Sequence, residues 1–180
     1  VIKKFKKIVV VGPQHNDTLP KSVLLTLRNM GFNAEPVDER KMLGFSYAKD
    51  IENFGRIKLG TRLRARWHDF LINSSTKYEL NIYNRLASLI ESKKPDLIIT
   101  HSAWIPPEII ARLKNNTGAI IICWFPDHPG NLGRQYLFGG AYDFLFFKDK
   151  FLVQKARSIG KNAYYLPEAC MPEWHKRVEL

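Results

Sequence analysis

Asp127 and His128 are adjacent in a proline-flanked segment, WFPDHPGN over residues 124–131. A carboxylate beside an imidazole can hold a hydroxyl and take its proton. Trp124 and Phe125, just before them, offer apolar faces to a sugar ring or an aglycone. The bland reading of the same segment is a connector stiffened by Pro126 and Pro129, with two solvated charges. Two other short segments carry side chains that a plain connector does not need. HSAW at 101–104 contains His101, Ser102 and Trp104, and GPQHN at 12–16 contains His15 and Asn16. For His101 two readings stand: a ring tied to backbone, or a contact for a polar ligand.

The same residues exclude several chemistries. Residues 12–16 lack the glycines of a dinucleotide fingerprint and the G-K-[ST] of a Walker A loop. No acidic pair follows the first apolar run, so a receiver domain does not fit. His15, His68, His101, His128 and His175 show no H-x-x-x-H spacing and the cysteines no C-x-x-C, so no metal site is expected. Without a G-x-S-x-G elbow, a serine nucleophile is not expected either.

All three segments follow apolar runs. Residues 7–11 (KIVVV), 96–100 (DLIIT) and 119–123 (AIIIC) are short and rich in β-branched residues, which predicts strands buried on both faces. Weaker strands are expected over 33–37, 143–147 and 163–166. Between them, Leu24, Leu27 and Met30 fall at helical spacing in 19–30, which Asp17 or Thr18 can cap and Gly31 can end. Thr76 and Glu79 fit a capping box before a stripe of Tyr83, Leu86 and Ile90. Pro106 and Pro107 suit the first turn of a helix over 108–114, and Asp149 caps one that ends at Gly160. The alternation predicts an α/β fold, a Rossmann-like three-layer sandwich around a mostly parallel sheet of about six strands. With no repeat and no linker, residues 1–180 read as one domain. Ligands of such sheets bind beyond the carboxyl ends of the strands, where strand order reverses. All three segments therefore belong on one rim.

Charge points outward to a partner. A net charge of +11 favours an anionic surface or substrate. Residues 40–73 are the least regular part, punctuated by Gly44, Gly55 and Gly60 and made basic by Arg56, Lys58, Arg62, Arg64 and Arg66. Phe54, Trp67 and Phe70 look like apolar anchors there, and short helices in a mobile excursion are expected. The basic residues read either as a solvated face or as a docking surface for the phosphates of lipid head groups or an anionic acceptor. The aromatic residues sit in core-like runs rather than among basic ones, so no specific nucleic acid is expected. Cys123 and Cys170 are too few for a disulfide framework and fit a reducing, cytoplasmic compartment. The run after Lys6 and Lys7 stops at Gly12-Pro13, too soon for a signal peptide, and no stretch is long enough to span a bilayer.

KPDLIITH over 94–101 resembles the "PD-apolar-H" strand of glycosyltransferases with the two-domain GT-B fold. Trp124-Phe-Pro-Asp127, Tyr142-Asp143, Gly160, Leu166-Pro167-Glu-Ala169 and His175 follow in order, and the run over 94–175 is similar to the CgeB-like (spore-maturation-type) glycosyltransferases. The resemblance implies an amino-terminal half that holds a hydroxyl-bearing acceptor, whether saccharide, lipid-linked or protein. It implies no cofactor in this chain and a nucleotide-sugar donor held by a carboxyl-terminal half beginning after Leu180. By itself the chain is then expected to be inactive. Asp127 and His128 become the candidate catalytic residues, with His15, Asn16, His101, Ser102, Trp104, Trp124 and Phe125 lining the acceptor cleft. Many relatives carry a histidine in the loop after the AIIIC-type strand; this chain has Trp124, Phe125 and then Asp127. The setting implied is cytoplasmic, with peripheral docking at the inner membrane face. The competing reading is a non-catalytic basic Rossmann-like module that binds a nucleotide or nucleic acid.

Overall fold

The unbroken apolar runs become the centre of one sheet. A computed structural model describes residues 5–16, 18–39, 59–127 and 136–168. Its strands are β1 (Ile8–Val11), β2 (Ala34–Val37), β3 (Leu97–Thr100), β4 (Ile120–Phe125), β5 (Phe144–Phe147) and β6 (Ala163–Tyr165). They form a single six-stranded sheet in the order β2-β1-β3-β4-β5-β6, with every pair parallel. The helices are α1 (Leu19–Asn29), α2 (Leu59–Ser74), α3 (Thr76–Ser92), α4 (Pro107–Thr117), the single turn α5 (Tyr136–Gly139) and α6 (Lys150–Ser158). The α/β, Rossmann-like expectation holds, with β1, β3 and β4 in the middle. Pro36, which cannot donate to a ladder, lies on the edge strand β2, where a missing donor is tolerated.

Alternation along the strands separates the two faces. Ile8, Val10, Leu97 and Ile99 pack against Leu24 of α1. Val9, Val11, Ile98 and Ile121 face the other way, against α3 and α4 through residues such as Leu86, Ile90, Ile109 and Leu113. On that same side, Cys123, Phe125, Leu145 and Phe147 meet Leu137 and the α6 residues Val153 and Ala156. Cover is uneven. β1 and β3 are buried throughout, but Ile120, Ile122 and Trp124 of β4 and Phe144 and Phe146 of β5 are only half-buried. The expectation that the AIIIC run is buried on both faces is corrected: Ile120 and Ile122 pack against the cluster around Leu24 yet stay half-buried.

Two other expectations change. Ser75, not Thr76, caps α3, its Oγ accepting from the Tyr78 N–H at 3.2 Å. Glu79 then falls past the third helical position, outside a capping box, and its buried carboxylate accepts from the Tyr136 hydroxyl at 3.0 Å. The irregular excursion expected over 40–73 contains a regular 16-residue helix, α2, which packs on α3 and brings the His68 ring edge-on to Tyr78.

Asp96 and Asp143, two of the acids in the motifs that carry the family resemblance, stand at the amino-terminal rim and join strand starts. Asp96 Oδ2 accepts from the Lys6 and Lys7 N–H groups at 2.8 and 2.9 Å, and Asp143 Oδ2 accepts from the Ile121 N–H at 2.9 Å. Arg112 clamps α4 to α3, with both Glu91 oxygens accepting from its guanidinium at 2.9 and 2.7 Å. Lys93 and Lys7, both bonded to Glu35, hold that carboxyl down to about 2. Among the described residues, no helix is long and apolar enough to cross a membrane.

Candidate functional site

Strand order reverses between β1 and β3. The crossover from β1 runs through α1 on one face, and the helix after β3, α4, covers the other. The ladder continues one step past the strands there, with the Gly12 N–H donating to Val37 O at 3.0 Å and the His101 N–H to Val11 O at 3.1 Å. Gly12 has φ +149°, and a Cβ placed on it would stand 2.6 Å from Pro20 Cγ and 3.6 Å from His101 Cβ. Only glycine lets the start of α1 close over β1 beside His101. Thr18 ties down the same loop, donating its hydroxyl to Pro13 O and His15 O, both at 2.9 Å. Gly12→Ala is expected to lower stability by about 1–3 kcal/mol, through backbone strain and contact with Pro20. Urea unfolding is the measurement, and an unchanged midpoint contradicts the packing described.

His101 is 9% exposed at the end of β3. Its Nδ1 lies 2.9 Å from Trp124 O, and its ring centroid is 5.7 Å from that of Trp124. A carbonyl oxygen can only accept, so Nδ1 carries the proton. Burial pushes the imidazole pKa down to about 4, against a smaller opposing effect of the Trp124 carbonyl. At neutral pH the ring is therefore uncharged and Nε2 presents a lone pair. That Nε2 is buried with no hydrogen-bond partner among the described residues, and the same holds for Trp124 Nε1 and Gln14 Oε1. Gln14 belongs to the group because its Nε2 donates to Gly12 O at 3.0 Å. An acceptor, a donor and a second acceptor thus stand on residues at or just past the ends of β3, β4 and β1. Each unmet group costs about 1–3 kcal/mol that a polar ligand recovers. All three atoms are shielded from solvent, so a ligand reaches them by displacing what covers them.

The other expected residues divide. Ser102 is buried and shapes the loop: its N–H donates to Thr100 Oγ1 at 3.0 Å and its Oγ accepts from the Trp104 N–H at 3.3 Å. Trp104 is exposed on the rim, where its indole can stack on a ring. His15 is half-buried and Asn16 exposed in the loop after β1. Trp124 and Phe125, as strand neighbours, face opposite sides, and Phe125 enters the core with Leu137, Leu145 and Phe147 rather than lining the crevice. Asp127 is exposed, on the same rim as Gly12 and His101. His128, Arg56 and Lys58 lie outside the described residues. Arg62, Arg64 and Arg66 belong to α2, with Arg66 exposed. Gln14 and the Trp124 indole nitrogen are the members that sequence reasoning did not single out. The usable signal was position alone, a carboxamide and an indole at the ends of central strands.

No family model, no curated protein and no solved structure matches the chain.

Proposed function

We propose that this chain is the acceptor-binding half of a GT-B-type glycosyltransferase and that its crevice holds the acceptor hydroxyl on His101. The observation that carries the reading is the divided imidazole. Nδ1–H is committed to the Trp124 carbonyl, which fixes ring and tautomer, while Nε2 is buried with an unused lone pair at the strand-order reversal. Such a nitrogen accepts an O–H and can take its proton. In the transfer, the acceptor oxygen bonds the anomeric carbon of the sugar, its proton passes to Nε2, and the nucleotide's phosphate leaves with the bonding electron pair. A pKa near 4 makes His101 a weak base in the free chain; the negative charge of an incoming diphosphate favours the imidazolium and strengthens it. Trp104 offers a stacking face to the acceptor. Asp127, exposed on the same rim, is placed to contact its outer hydroxyls, and His128 follows it in sequence. The nucleotide-sugar belongs to a second Rossmann-like half. The setting is a cytoplasmic enzyme peripheral to the inner membrane face, and its acceptor is a saccharide, a lipid-linked sugar or a protein hydroxyl.

Nitrogen-15 NMR of the histidine side chains tests this on the 180-residue chain. Titration with a panel of saccharides is expected to shift the His101 Nε2 resonance saturably, and His101→Gln to abolish binding. Nucleotide-sugars are expected to bind weakly or not at all. Saturable, micromolar binding of a nucleotide or nucleotide-sugar, with no response to saccharides, replaces this reading by the basic nucleotide-binding module.

A further inference from the structure

Of the apolar residues that the sequence offers as anchors, Phe54 lies outside the described residues, and Trp67 and Phe70 are turned outward on α2 together with Leu63. Leu63, Trp67 and Phe70 are 59%, 63% and 56% exposed. Their spacing of four and then three residues puts them on one stripe of the helix, and the rings of Trp67 and Phe70 stack at 5.5 Å with 27° between their planes. Single exposed apolar side chains are ordinary on a protein surface, but a contiguous stripe is not. α2 packs against α3 through another side, where His68 meets Tyr78. Arg62 and Arg64 flank Leu63 in sequence and so lie about 100° to either side of it around the helix, and Arg66 lies about 60° from it. Asp69 is the one acidic residue among the 16 of the helix.

An aromatic stripe with arginines on both flanks has the layout of a helix lying in a membrane interface. The apolar side chains enter the boundary between head groups and acyl chains, and the long basic ones reach back to phosphates. Charge decides against a second copy of this chain as the occupant. With a net +11, a symmetric contact through this stripe would bring two arginine-flanked surfaces together. We propose that α2 docks this domain on an anionic bilayer, inserting Leu63, Trp67 and Phe70 while Arg62, Arg64 and Arg66 bind lipid phosphates.

Flotation with vesicles of phosphatidylcholine, alone or mixed with phosphatidylglycerol, tests the proposal on the intact chain. Binding is expected to the mixed vesicles, to be far weaker without the anionic lipid, and to fall with salt. Arg62→Ala, Arg64→Ala and Arg66→Ala together are expected to weaken binding on the order of 100-fold, roughly fivefold for each arginine. Leu63→Ser, Trp67→Ser and Phe70→Ser together should abolish insertion while circular dichroism and melting temperature stay near the parent's, because all three side chains are exposed. Lipids brominated in the acyl chains should quench tryptophan fluorescence in the parent. In Trp67→Phe, which keeps the apolar stripe, that quenching should disappear while binding persists. Three results overturn the proposal. One is no binding to mixed vesicles. Another is a triple-serine variant that binds as the parent does, which leaves adsorption by charge alone. The third is a dimer that the serine variant breaks in the absence of lipid, which makes the stripe a self-interface. Vesicle binding and the saccharide response of His101 are separate measurements, so either can fail without the other.

Discussion

Lowering the pH from neutral to about 4 is expected to remove on the order of 3 kcal/mol of stability through His101 alone, and His101→Gln to flatten that part of the profile. An unfolded histidine titrates near 6.5, whereas burial in the folded chain holds His101 near 4. Between those values the unfolded state carries a proton that the folded state does not, so stability rises with pH across the window. The contribution is complete above the unfolded value, is lost as pH falls through the window, and does not change further below the folded value. Glu35 acts in a lower window. Its folded pKa is about 2, so its contribution is present above the ordinary carboxyl value of 4.5 and is lost as pH falls toward 2. Urea unfolding at several pH values between neutral and 4 separates the two groups. Parallel profiles for the parent and His101→Gln would show that the imidazole is not held neutral by burial, and the lone pair on which the proposed function rests would lose its basis.

Where one physical effect dominated, the sequence was enough. Uninterrupted β-branched runs at 7–11, 96–100 and 119–123 demand the middle of a sheet, and β1, β3 and β4 occupy it. Strand-end position then brought Gly12, His101 and Asp127 to one rim without reference to any motif. For His101, the backbone-tied reading open at the sequence level is realised at Nδ1, while Nε2 has no partner among the described residues. Asp96 and Asp143, each just before an apolar run, accept from strand-start amides on the rim opposite Gly12, His101 and Asp127, a role that residue type and position in the sequence did not reveal. Strict alternation along a strand sets Trp124 and Phe125 on opposite faces, a separation already implicit in their adjacency. The outward stripe of α2 was not legible, because leucine, tryptophan and phenylalanine at helical spacing look the same whether they face a core or a membrane. That difference depends on which side of α2 meets α3.

Ile121→Ala and Ile122→Ala, neighbours on β4, are expected to differ several-fold in cost. Ile121 is fully buried, under side chains of α3 and α4 such as Ile90 and Ile109. Truncating it leaves a cavity that rigid helices on one side and a paired strand on the other cannot close, a loss of about 2–5 kcal/mol. For a chain of this size, that is roughly 5–15 °C in melting temperature. Ile122 faces the α1 side and is half-buried. Water already reaches part of its side chain, so less apolar area is lost and no closed cavity forms. Its truncation should cost less than about 1.5 kcal/mol. The pair shares strand, residue type and neighbours in sequence, so strand propensity and backbone terms cancel in the comparison. Thermal melts of both variants measure the difference directly. Equal losses would mean that β4 is covered alike on both faces, as its apolar run alone suggests. The half-buried flank of Ile122, Trp124 and Phe146 would then have to be packed more tightly than the structure places it.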